Sequence, residues 1–69
     1  MDNQQQQRLT DLGADTIAIF CERFRISPAF YFKQARLGRM PEAIRIGRKT
    51  LIPHAAIRTW LDKKIAEGA

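Results

Sequence analysis

The sequence holds one cysteine and one histidine in 69 residues. Cys21 alone excludes a disulfide within the chain, and Cys21 with His54 is too small a ligand set for a tetrahedral zinc site. With neither staple available, a domain this short is held by its packing or by what it binds. Nowhere does the chain reach the roughly 18 consecutive apolar residues of a membrane span, and Met1 to Arg8 lacks the apolar run of a secretory signal. Glycine is scarce, four in all, and none lies in a phosphate-cradling loop. No paired carboxylates frame a cleft and no nucleophile has a base beside it, so no catalytic residue, cofactor or metal is expected and the chain does not read as an enzyme. Acidic residues are also short: 7 Asp and Glu stand against 12 Lys and Arg, a net charge of +5.

That charge is concentrated. From Arg23 to Lys49 the cations are Arg23, Arg25, Lys33, Arg36, Arg39, Arg45, Arg48 and Lys49, opposed only by Glu42, so this stretch carries +7 and the remainder −2, which together give the net +5. A solvated face normally mixes signs. A one-signed stretch instead creates a positive field that raises encounter rates with polyanions.

Along the chain, residues 1–14 read as a flexible tail, because Gln4 to Gln7 is a polar tract with nothing to bury. Residues 15–69 read as one domain. The first helix is expected from Asp15 or Thr16, either of which serves as an N-cap, to Phe24. Ile17, Phe20, Cys21 and Phe24 make one apolar stripe at helical spacing, with Ile19 off it. Cys21 within that stripe is expected to be a buried small hydrophobe. Arg25-Ile26 is a short turn. Ser27-Pro28 starts a second helix, serine as N-cap and proline at N1, where its missing N–H costs nothing. Gly38 ends it. Tyr31 and Ala35 are expected to face the first helix, leaving Pro28, Ala29, Phe32, Lys33 and Arg36 turned outward and Phe30 at the border.

Ile44 and Ile46, then Leu51 or Ile52, bracket Gly47-Arg48-Lys49-Thr50. This alternation around a glycine predicts a β-hairpin with a basic tip, too small to stand alone. Pro53 is expected at N1 of a third helix, with Ala56, Ile57, Trp60, Leu61 and Ile65 as its apolar stripe and Trp60 in the core. His54 is expected to be solvated. The fold class is therefore mainly α with a small β-hairpin, in the order helix, helix, hairpin, helix.

Thr16, Ser27, Gly38-Arg39-Met40-Pro41, Ile44-Arg45-Ile46-Gly47-Arg48-Lys49, Leu51-Ile52-Pro53 and the closing Ile57, Trp60 and Leu61 follow one another in a recognisable order. Over about 50 residues, from Thr16 to Lys64, the chain resembles the MerR-like winged helix-turn-helix of phage excisionases and AlpA-type regulators. The resemblance implies a cytoplasmic binder of double-stranded DNA from mobile DNA. Such proteins bend DNA to direct an integrase toward excision, or regulate transcription, and many associate side by side on repeated sites. The chain departs from that pattern at Arg25, where the family usually has glycine. It departs again at Pro28, Ala29 and Phe30, where the family often offers Arg, Ser or Thr to the bases. Modest base readout is therefore expected, with phosphate contact and DNA shape carrying much of the binding.

The expected DNA contacts are Lys33 and Arg36 from helix two, Ser27 as cap and phosphate contact, and Arg45, Arg48 and Lys49 from the hairpin. Arg25 and Arg39 are second-rank phosphate contacts. A competing expectation of a different class is a protein-binding adaptor or antirepressor, docking through exposed Ile19, Phe30 or Phe32.

Overall fold

Thr16 decides where the first helix begins. In the computed structural model, which describes residues 13–68, its backbone is extended and its hydroxyl accepts from the Ile19 N–H at 3.2 Å. Helix α1, Ile17–Phe24, follows at once. Its stripe is buried as the spacing requires: Phe20 and Cys21 are inaccessible, Ile17 and Phe24 pack against them, and Ile19 is exposed. Cys21 packs in the core as a small hydrophobe, and burial pushes its thiol pKa up.

The chain then makes the same turn twice. Arg25 N–H donates to Glu22 and Ile26 N–H to Cys21; Gly38 N–H donates to Ala35 and Arg39 N–H to Gln34. Both are the paired 5→2 and 6→1 bonds that close a helix around a left-handed residue. At Gly38 (φ 70°) that residue is glycine; at Arg25 (φ 55°) it is not. Between these turns lies α2, Pro28–Arg36, with Ser27 accepting from Phe30 N–H at 3.1 Å and Pro28 at N1. Tyr31 is buried against α1, its ring edge-on to Phe20 at 5.8 Å. Ala35 is not its partner as expected: it is exposed, and Gln34 is half-buried in its place.

The expected hairpin acquires a third strand. Strands β2, Ile44–Ile46, and β3, Lys49–Pro53, pair antiparallel, and β3 also pairs with β1, Ala14–Thr16, giving the sheet order β1-β3-β2. Ala14 therefore belongs to the sheet, and the Gly13 carbonyl accepts from His54 N–H at 2.9 Å. The remainder of the expected tail lies outside the described residues. Asp15 is opposite Ile52, and both are buried, so the face carrying them is the core face. Of the two alternatives at this position it is Ile52, not Leu51, that enters the core.

Pro53 does not open the third helix. It is the last residue of β3, and α3 runs His54–Gly68. Ile57 is buried and Leu61 packs beside it, but Ile65, at the outer end of the stripe, is exposed. Trp60 lies on the rim of the core, half-buried, its ring edge-on to Phe20 and Phe24 at 5.8 and 5.6 Å. Its indole N–H donates to the Arg39 carbonyl at 2.9 Å, which explains why the ring sits at the edge: the polar end needs a partner. No helix among the described residues is long and apolar enough to cross a membrane.

Candidate nucleic-acid interface

Each expected contact residue is exposed: Arg25, Ser27, Lys33, Arg36, Arg39, Arg45, Arg48 and Lys49. How each is held differs. Lys33 and Arg36 are three residues apart on α2. Tyr31 fixes the inward direction, and at ~100° per residue Lys33, Arg36 and Ala29 fall about 140–200° from it, on the side away from α1. Ser27 and Arg25 share the turn that precedes this helix, and α2 has α1 as its main packing partner.

Arg39 projects from a backbone fixed at both ends. Its N–H donates to Gln34, and its carbonyl accepts from the Trp60 indole. A phosphate contact from this residue would therefore start from a set origin.

The hairpin tip is a two-residue loop. Ile46 pairs with Lys49, leaving Gly47 and Arg48 between them. Gly47 has φ 61° and Arg48 does not share a positive φ, the pattern of a type II′ turn, which matches the twist of the flanking strands. Register then sorts the cations. Arg45 is opposite Thr50, on the face that carries Ile52; Lys49 is opposite Ile46, on the other face. Arg48 occupies the tip. The ribbon thus carries a cation on each face and one at the end. Ile44 and Ile46 lie on the outer face with Lys49, and both are exposed.

The charge pattern has a further regularity. Arg25, Lys33, Arg36, Arg39, Arg45, Arg48 and Lys49 have no carboxylate within ion-pair distance among the described residues. Arg23, at the start of the basic stretch, is neutralised: its guanidinium lies 3.1 Å from both oxygens of Asp15. Asp15 is the buried charge of the fold and also receives His54 Nε2 at 2.8 Å. His54 is therefore not solvated as expected; it is half-buried and fastens the start of α3 to β1. Sequence reasoning missed this cluster because nothing local links Asp15 with a histidine 39 positions later.

Among the described residues no group of three or more His, Cys, Asp or Glu side chains is disposed to hold a metal. An open groove of about 810 Å³ lies between the 38–42 loop and α3, floored by Met40, Pro41, Ala56 and Trp60.

The described residues form a mixed α/β fold, three helices with a small three-stranded antiparallel sheet. No protein-family model, no curated protein and no solved structure matches the chain.

Proposed function

We propose that this chain is a winged helix-turn-helix that binds duplex DNA, with α2 in the major groove and the β2–β3 ribbon against the adjacent backbone or minor groove. The observation that carries the reading is the set of seven exposed cations on α2, its two bounding turns and the ribbon that have no carboxylate partner among the described residues. A polyanion supplies the missing counter-charge while releasing its own counterions. The major groove is wide enough for one α-helix. A ribbon with Arg45 on one face, Lys49 on the other and Arg48 at its end suits a groove whose two walls are both phosphate. Arg25 and Arg39 flank α2 at the turns, where phosphate contacts set orientation and not sequence.

Within this class the sequence resemblance favours a phage or mobile-element excisionase that bends DNA beside an integrase, acts in the cytoplasm and associates with further copies on its site. An AlpA-type transcription regulator is the alternative. Bending of the preferred site together with an integrase encoded beside it favours excision, and a preferred site that overlaps a promoter favours regulation.

The deciding experiment for DNA binding is fluorescence anisotropy with a duplex over a salt series. Affinity is expected to fall steeply with salt, with a slope of about −0.9 per phosphate neutralised. No binding at moderate salt would refute the reading. One observation favours a protein partner instead, the exposed Ile44 and Ile46 on the outer face of the sheet. A chain that ignores DNA and captures a protein through those side chains would establish that reading.

A further inference from the structure

We infer that α2 selects the keto bases of duplex DNA, guanine and thymine, because its outward face offers hydrogen-bond donors and apolar groups but no acceptor. The inference rests on the reading of α2 as the groove-entering helix. Ala29, Lys33 and Arg36 are exposed on that face, and Phe30 and Phe32 at its flanks are 47% and 49% exposed. Lys33 and Arg36 only donate. The remaining side chains of that face are hydrocarbon.

The acceptors of α2 point elsewhere. Ser27 Oγ accepts from Phe30 N–H at 3.1 Å as the cap. Tyr31 is buried, and Gln34 is half-buried, about 60° around the helix from Tyr31. The face directed away from α1 therefore has nothing with which to receive the amino groups that adenine and cytosine present in the major groove. Guanine presents two acceptors there, and thymine presents one acceptor and a methyl group. Lys33 or Arg36 satisfies the guanine edge. Phe30 or Phe32 covers the thymine methyl, with Phe32 held by its edge-on contact to Tyr31 at 5.3 Å. The positions that reading by amide side chains would use are thus given to methyl recognition.

The test uses the full chain and duplexes selected from a randomised pool. The strand facing α2 is expected to be rich in G and T. Remaking the selected duplex with uracil for thymine removes only the methyl groups. Each methyl in contact is expected to cost about fourfold in affinity, the factor for one buried methyl-sized group. Remaking it with 7-deazaguanine removes one guanine acceptor and is expected to cost about tenfold at a contacted position. The double variant Phe30→Ala/Phe32→Ala, checked for folding by circular dichroism, is expected to lose the uracil effect while keeping the 7-deazaguanine effect. Tight, salt-dependent binding that is indifferent to both replacements would overturn the inference and leave the DNA-binding reading standing. Absence of salt-dependent binding to any duplex would overturn both.

Discussion

Arg23 and Arg48 are the same residue type on the same small domain, and their surroundings could hardly differ more. Arg23 closes on a buried carboxylate that also holds His54, so three segments of chain meet at one charge. Arg48 stands at the end of a ribbon with no carboxylate near it among the described residues, and Arg25, Lys33, Arg36, Arg39, Arg45 and Lys49 share that condition, as does Lys63 on α3. One region uses charge to join elements: there Arg23 and His54 meet a single carboxylate. The other leaves its partners to be supplied from outside. The difference teaches that the net charge of +5 is not a property of the whole surface. It belongs to the part that folding does not need.

If that division holds, the largest effects on stability come from the joined region. Phe20 is fully buried and touches the rings of Phe24, Tyr31 and Trp60. Phe20→Ala is expected to cost about 3–5 kcal/mol, enough to unfold a domain this small, seen as loss of the cooperative thermal transition. Trp60→Ala should cost somewhat less, because the ring is only half-buried. An unchanged melting temperature in Phe20→Ala would remove the core as described. Asp15→Asn comes next. It keeps the shape but removes the charge facing Arg23 and His54, at a cost of about 2 kcal/mol, the range for hydrogen bonds to a charged group reduced by the half-exposure of Arg23. Urea denaturation measures it. The folded variant should retain the salt slope of the parent for DNA, and a changed slope would mean the two regions are not separate.

The parts of this fold that the sequence made legible are those with local causes. Thr16 and Ser27 cap helices through bonds to residues three positions on, and the Ile17, Phe20, Cys21 and Phe24 stripe declares its face by spacing alone. Gly47 marks the hairpin for the same reason, since a positive φ is needed there. What was not legible depends on distant residues. Strand β1 has three residues and no alternation of its own; it exists because β3 offers a free edge and Asp15 has Arg23 and His54 to meet. The proline expected to begin α3 instead ends β3, because the sheet continues one pair further, to Ala14. The exposure of the candidate contact residues agrees with their polar composition. The separation of Arg45 from Lys49 by strand face needed the register, which turn length sets and composition does not.

Smaller effects test the unpartnered region. Arg48→Ala should leave the free energy of unfolding within about 0.5 kcal/mol of the parent, as for a surface change away from packing. It should weaken binding to all duplexes alike and shallow the salt dependence by about one unit of slope. If affinity and slope both stay put, the tip of the ribbon does not touch phosphate. Pairing it with Lys33→Ala sharpens the point: the two losses in slope should add if α2 and the ribbon lie on one duplex.

A further small effect opposes the two regions most directly, because it trades one against the other at a single residue. Arg25 and Gly38 close their helices with the same bonds, yet Arg25 has φ 55° where glycine would be unstrained. The left-handed conformation costs a side-chain-bearing residue roughly 1–2 kcal/mol, part of which glycine returns through its freer unfolded chain. Arg25→Gly should therefore stabilise the domain by about 0.5–1 kcal/mol. An added Cβ at Gly38 meets nothing within 4 Å, so Gly38→Ala isolates the backbone term and should destabilise by a similar amount. A cation kept at a position that strains the fold makes sense if the side chain acts outside the fold. Arg25→Gly should then bind duplex DNA several-fold more weakly despite melting higher, the loss of one phosphate contact. A variant that melts higher and binds as well as the parent would return Arg25 to the ranks of ordinary surface charge.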